Sequence, residues 1–375
     1  GVIYFDNAAT SLQKPREVYW AMQAAMQQAG GYGRSGHRPA LRAGELVYEC
    51  RELAARLFGL EAPEQVVFTM NATHALNQAI HALTEETTRA AVTGYEHNSV
   101  IRPLTERGIP YRVMKHGPFD GGAMLACARQ ALTEGANLFI VNHMSNVFGG
   151  VIPLEALDDL LADAGVPMIV DASQSAGAVE IDAGRLKSAA AICMPGHKGL
   201  LGPQGTGMLL VCSEKLERPL MQGGTGSLSG ELHQPALLPD RFESGTPNVP
   251  GIAGLAAGLR YLLREGVDNI AQHERLLKNK LAHGLGKIQG IQAFSDTRQG
   301  GVLSFRHPEI PCEILAERLA ERGVCVRAGL HCAPLAHRSA GTLDSGTVRA
   351  SLGPFNTRAE VRDFCTAVSE ILEKL

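Results

Sequence analysis

The chain has 375 residues, 45% of them apolar and 19% charged, with 42 glycines where average usage is roughly 7%. A formal charge of −3, from 35 basic and 38 acidic residues, excludes the electrostatic footprint of a nucleic-acid or anionic-membrane binder. Normal apolar content without blocks of like charge excludes disorder, and the length predicts a large core in two associated domains.

The first segment, GVIYFDNAATS, has neither a basic start nor a long apolar run, so no secretory signal is expected there. EVYWAMQAAMQQAG predicts a helix. Gly31, Gly33 and Gly36 follow it and match G-x-G-x-x-G, but the dinucleotide fingerprint needs a strand before it, so that reading is rejected. No G-x-x-x-x-G-K-[ST] occurs either. From residue 66 short apolar runs recur: VVFT (66–69), AAVTG (90–94), LFIVNH (138–143), MIVDAS (168–173), AAICM (190–194) and GMLLVC (207–212). Amphipathic stretches such as THALNQAIHAL and PLEALDDLLADAG lie between them. Runs that are apolar throughout and alternate with helices predict a parallel sheet covered on both faces.

Such sheets bind ligands beyond the carboxyl ends of their strands. Those ends carry Thr73, His97, Asn146, Asp171 with Gln174, and His197 with Lys198. After a glycine- and proline-rich stretch (223–254) the texture changes. Two helical patterns, short strands near 291–294 and 302–305, the helix EILAERLAERG, the loop RAGLHCAP and a helix from about Arg358 predict a smaller α+β domain. The longest uncharged window, 135–154, holds three asparagines, a histidine and a proline, and is not expected to span a bilayer. The eight cysteines form no C-x-x-C pair, so no zinc ribbon or other metal site is expected, and a reducing cytoplasm is the expected compartment.

A lone loop lysine is ordinarily a solvated charge, but Lys198 has unusual company. Asp171, at another strand end, suits a pyridinium nitrogen. His97 suits stacking on an aromatic ring. Thr73 opens a helix where free amides and a hydroxyl suit a phosphate. A lysine, an acid and a phosphate cradle are the parts that pyridoxal 5'-phosphate requires.

The ordered set NAATS (7–11), NATHALN (71–77), EHNS (96–99), SNVFGGVIP (145–153), VDASQS (170–175), GHKG (196–199), ESGTPN (243–248), RAGLHCAP (327–334) and VRASLG (348–353) resembles the class V aminotransferase superfamily of fold type I pyridoxal-phosphate enzymes. Within it, the chain is most similar to the type II cysteine desulfurases and selenocysteine lyases. The resemblance implies a mainly parallel seven-stranded α/β sheet with helices on both faces. It also implies a large cofactor-binding domain (15–254) and a small α+β domain (255–375 with 1–14) carrying the Cys332 loop.

It further implies that Lys198 holds the cofactor as a Schiff base and moves the substrate's α-proton. Asp171 faces the ring nitrogen, Gln174 bonds the phenolic oxygen, and His97 stacks on the ring. Ala72, Thr73 and His197 hold the phosphate. Thr246 reaches the phosphate of a partner subunit, so a homodimer with shared sites is expected. Asn146, Arg349 and Arg327 meet the amino-acid substrate, and a protein can serve as sulfur acceptor.

Two positions depart from the pattern. Pro195 stands where relatives often place a phosphate-binding serine, so one anchor is missing or replaced, and the GGTGS loop (223–227) reads equally as its replacement or as a simple tight turn. Leu330 stands where a second histidine is usual. Cys332, in a glycine-containing loop beside His331 and near Arg327, is set apart from the strand-embedded cysteines, and positive neighbours favour a reactive thiolate. Arg34 and His37 are open between a site role and a surface role. The expected reaction converts L-cysteine to L-alanine with sulfur passed to Cys332. Selenocysteine or cysteine-sulfinate cleavage, transamination and a non-catalytic scaffold stay open as alternatives.

Overall fold

The computed structural model describes residues 1–375. β1 (Ile3–Tyr4) precedes α1 (Arg16–Gln28) and α2 (Arg38–Phe58). There follow β2 (Val66–Thr69), α3 (Ala72–Leu83), β3 (Ala90–Thr93), α4 (Asn98–Glu106), β4 (Tyr111–Met114), α5 (Gly121–Thr133), β5 (Leu138–Asn142), α6 (Leu154–Ala164), β6 (Met168–Asp171), β7 (Ala189–Pro195) and β8 (Gly207–Val211). The last third holds α7 (Val249–Glu265), α8 (Val267–Gly286), β9 (Gln292–Phe294), β10 (Val302–Arg306), α9 (Cys312–Glu321) and β11 (Val324–Cys325). It ends with β12 (Arg327–Gly329), α10 (Pro334–Ala340), β13 (Thr347–Ser351) and α11 (Arg358–Glu373).

The central sheet has seven strands in the order β2-β8-β7-β6-β5-β3-β4. All neighbours are parallel except that β8 runs against both β7 and β2. Its runs are apolar at every position because alternate residues face two different cores. Phe139, Val141, Met168 and Val170 point into one; Leu138, Ile140 and Ile169 point into the other. Six strands were legible as apolar runs. The seventh, β4, was not, because it is incompletely covered: Tyr111 is exposed and Arg112 and Val113 half-buried, while β2 at the other edge is buried at every position.

Chain order reverses between β3 and β5: β4 lies outside β3, and the chain then crosses to β3's other side. Crevices at such reversals are where ligands enter open α/β sheets. The loops leaving β3 and β5 carry His97 and Asn146 there.

A second sheet, β12-β13-β10-β9, is antiparallel and packs with α8, α9 and α11 around Leu277, Leu281, Phe305, Leu319 and Phe364. β1 pairs in parallel with β11, and Phe5 is buried in the same core, so the N-terminal segment is tied to this unit. Position 254/255 lies inside α7, whose buried residues on both sides, Ile252 and Ala253 as well as Leu255 and Leu259, share the larger core. We therefore propose the division between the units at Gly266, where α7 ends.

α7 also fixes the Lys198 loop. A Cβ at Gly258 would lie 2.3 Å from the Leu200 carbonyl oxygen, so only glycine lets this helix approach so closely. Gly199 and Gly177 meet in the same way, backbone against backbone: a Cβ on Gly199 would lie 2.2 Å from the Ala176 oxygen. At these positions the abundant glycine serves packing of chain on chain, not the wrapping of a ligand.

Candidate active site

Lys198 leaves β7 in a half-buried position among charged groups. Burial, with Arg349 and Arg327 nearby, pulls its ammonium down to about 8, against the opposing pull of Asp171 and Cys332. Asp171 ends β6 with 2% exposure. Its Oδ1 accepts from the Ser173 amide (3.0 Å) and hydroxyl (2.6 Å), which leaves Oδ2 free of protein donors.

His97 is the N-cap of α4, its Nδ1 accepting from the Ser99 amide at 3.0 Å. Burial holds its ring below the usual histidine range; Asp171 opposes this, while Lys198, Arg327 and Arg349 reinforce it. At the start of α3, Asn71 accepts from the His74 amide, and the Ala72 and Thr73 amides stay outside the helical ladder.

Gln174 is buried and donates from Nε2 to the Ala8 carbonyl at 3.1 Å. His197 Nδ1 pairs with Thr10 Oγ1 at 3.0 Å, and burial, aided by Lys198 and Lys14, pushes the ring down to about 4. Its carbonyl accepts from the Ser11 amide and hydroxyl, both at 2.9 Å. The NAATS segment thus supports the Lys198 loop from below.

On the facing unit, Arg349 is 1% exposed. Its Nη1 donates to the Asn146 carbonyl (3.1 Å) and its Nη2 to Asp6 (3.2 Å), while Nε is buried without a partner. Asn146 donates from Nδ2 to the His331 carbonyl at 2.8 Å, and its Oδ1 is likewise buried and unpartnered. Two orphaned polar atoms on adjacent buried side chains mark where a polar ligand belongs.

Cys332 is the one exposed cysteine of the eight. His331 and Cys332 both adopt left-handed backbone, with φ 57° and 55°, a conformation costly for residues with side chains. The surroundings impose it: the Cys332 carbonyl accepts from the Asn98 amide at 2.9 Å, and the His331 carbonyl is held by Asn146. Arg327 Nη2 stands 3.9 Å from Cys332 Sγ. His331 corrects the sequence reading. It is buried, bonded through Nε2 to Thr347, and kept neutral by burial far below the usual histidine range. The positive charge beside the thiol therefore comes from Arg327 and not from its neighbour in sequence.

Thr246 is exposed and lines a cavity of about 490 Å³ together with Gly224, Thr225 and Gly226, and none of Lys198, Asp171 or His97 lines it. The GGTGS loop here bonds Asp240 through Ser227, with Gly224 accepting from the Gly245 amide at 2.8 Å. His37 caps α2 through Nδ1, and Arg34 is exposed.

A family model, Aminotransferase class-V, matches residues 3–364. The chain belongs to the class-V aminotransferase family. Its relatives include a probable cysteine desulfurase of Pyrococcus abyssi, 34% identical over all of this chain and 95% of the relative. Another, from Methanothermobacter thermautotrophicus, is 34% identical over 98% of this chain and 94% of its own. Among solved structures, the apo cysteine desulfurase of Thermococcus onnurineus superposes with a TM-score of 0.90 at 33% identity, covering all of this chain and 95% of its own. An Escherichia coli cysteine desulfurase bearing an S-sulfonic acid gives 0.88 at 27% identity, again covering all of this chain and 95% of that one.

The class-V aminotransferase family implies pyridoxal phosphate, and the donor set fits that cofactor. An amine of depressed basicity, a carboxylate with one oxygen free, a neutral imidazole and two free helix amides lie together at or beyond the carboxyl ends of the sheet strands β2, β3, β6 and β7. The sequence had no signal for the supports of this site. Thr10 under His197 lies in the NAATS motif and Asp6 under Arg349 directly before it, but their partners are more than 180 residues away.

Proposed function

We propose that the protein is a pyridoxal-phosphate-dependent cysteine desulfurase that converts L-cysteine to L-alanine and takes the sulfur onto Cys332 as a persulfide. The observation that carries this reading is the placement of the only exposed thiol within electrostatic reach of Lys198, with Arg327 beside its sulfur. A transaminase has no use for such a thiol; a desulfurase requires one.

Lys198 would hold the cofactor's aldehyde carbon and Ala72, Thr73 and His197 its phosphate. Gln174 would face the phenolic oxygen and His97 the ring. When bound, the cofactor supplies a conjugated ring that accepts the electron pair released at the substrate's Cα. Asp171, through its free Oδ2, keeps a proton on the ring nitrogen and so keeps that ring electron-poor. Arg349 and the unpartnered Oδ1 of Asn146 orient the amino acid, the guanidinium through its carboxylate. Lys198 Nζ then takes the proton from Cα. A group titrating at about 8 is roughly one-tenth free amine at pH 7, poised to accept and return a proton.

Cys332 Sγ attacks the substrate sulfur; the Sγ–S bond forms as the Cβ–S bond breaks and its electron pair passes to the carbon skeleton. Protonation there completes alanine. Substrate cysteine and the enzyme thiol have then become alanine and the enzyme persulfide, with no external oxidant or reductant. Arg327 stabilises the attacking thiolate.

The test is release of alanine from cysteine, alongside mass analysis of Cys332. Cys332→Ala should lower alanine formation at least about 100-fold and abolish the added sulfur. It should retain turnover of cysteine sulfinate, whose leaving group departs without thiol attack. Full desulfuration of cysteine by Cys332→Ala would refute the assignment.

A further inference from the structure

Ser99 touches two parts of the site at once. Its hydroxyl lies 2.8 Å from Thr73 Oγ1, in the first turn of α3, and 3.0 Å from His97 Nδ1. Its backbone amide donates to the same Nδ1 at 3.0 Å. An amide N–H can only donate, so Nδ1 carries no proton, and the proton of the neutral ring sits on Nε2. Because the amide already fixes that tautomer, the Ser99 hydroxyl is not needed by His97 and is free to turn toward Thr73.

The surroundings of that hydroxyl favour an anion. α3 and α4, of 12 and 9 residues, meet there by their N-terminal turns, each carrying the positive end of a helix dipole. α3 contributes the unbonded amides of Ala72 and Thr73. α4 uses its own amides internally: Asn98 donates to the Cys332 carbonyl, Ser99 to His97 Nδ1 and Val100 to the His97 carbonyl. The Ser99 hydroxyl is therefore the donor that α4 can still offer. The end of β7 offers none, because Pro195 has neither an N–H nor a polar side chain.

We propose that Ser99 is a further cofactor-holding residue, its hydroxyl joining Thr73 in binding the phosphate of the pyridoxal phosphate. This inference rests on the functional reading above. It makes α4 a bracket on the cofactor, with His97 on the ring and Ser99 on the phosphate, one turn of chain serving both ends.

The experiment titrates the full-length chain, freed of cofactor, with pyridoxal phosphate and separately with pyridoxal, following the visible absorbance of the bound ring. Ser99→Ala keeps the backbone amide and hence the His97 contact. It should weaken pyridoxal phosphate about tenfold while leaving pyridoxal within about twofold of the parent, the size expected for one hydrogen bond to a charged group. Ser99→Thr should restore the parental affinity. Ser99→Ala binding pyridoxal phosphate as tightly as the parent, or losing both compounds equally, would overturn the assignment. A parent chain that binds neither compound would instead overturn the functional reading, so the two failures are distinguishable.

Discussion

At the scale of single residues, two groups whose titration burial shifts make the protein's pH dependence specific. Lys198 is held down to about 8, and only its neutral amine can capture an aldehyde. Uptake of pyridoxal phosphate by cofactor-free protein should therefore rise about tenfold per pH unit below 8 and level off above it. Stopped-flow absorbance across pH 6–9 (roughly, within the stable range) measures this; a flat profile would place the amine elsewhere. Glu274 on α8 is 7% exposed, and burial alone raises its carboxyl to about 8. The unfolded chain releases this proton near the ordinary 4.5, whereas the folded chain keeps it until about 8. Stability from this group is thus full below the lower value, falls as pH rises between the two, and is flat above the higher one. Glu274→Gln should be near neutral at acid pH and stabilising by on the order of 2–4 kcal/mol at pH 8, read from urea midpoints.

Among the elements, the ESGTPN segment is held by one buried ion pair. Arg51 of α2, 3% exposed, bonds both carboxylate oxygens of Glu243 at 2.7 Å and also donates to the Val66 carbonyl at 2.7 Å. Glu243 in turn accepts from the Phe68 amide at 2.8 Å. One pair therefore joins a helix, the edge strand β2 and the segment that presents Thr246. Removing the guanidinium leaves a carboxylate with a single donor in a buried setting. Arg51→Ala should cost about 3–5 kcal/mol of stability in chemical unfolding. Glu243→Gln, which keeps the shape and an acceptor, should cost less. Equal losses would mean that packing, including the guanidinium on the Phe68 ring at 4.8 Å, carries the effect.

For the whole molecule, the homodimer expected from the family resemblance makes a sharper demand than association. Thr246 is exposed and makes no hydrogen bond to the Lys198 cluster of its own chain, which agrees with a role toward a partner's cofactor. Hybrid dimers formed from Lys198→Ala and Thr246→Ala chains place an intact Lys198 opposite an intact Thr246 in one of their two sites. Mixing the two variants should regain activity up to about a quarter of the parent's, half the dimers being hybrid with half their sites whole. Recovery no greater than the sum of the separate variants would show that Thr246 serves its own subunit. No helix of the structure is long and apolar enough to cross a membrane.

The sequence by itself determined the sheet's apolar strands, the helices between them and the polar residues at the strand ends, because these depend on local periodicity and on short motifs. It also carried the lysine, the acid, the histidine and the thiol, since each sits in a contiguous motif. Only the tertiary structure decided what those residues rest on. Burial neutralised His331 and left Arg327 as the charge beside Cys332; long-range closure put Asp6 under Arg349. The strand β4 carries no apolar run because it is only partly covered, with Tyr111 exposed and Arg112 and Val113 half-buried, whereas β2 at the opposite edge is buried throughout. Burial and contacts between distant segments set these properties, and neither is written in the spacing of neighbouring residues. The many glycines show both sides of this: their number was legible at once, but only packing revealed that Gly177, Gly199 and Gly258 let chain approach chain.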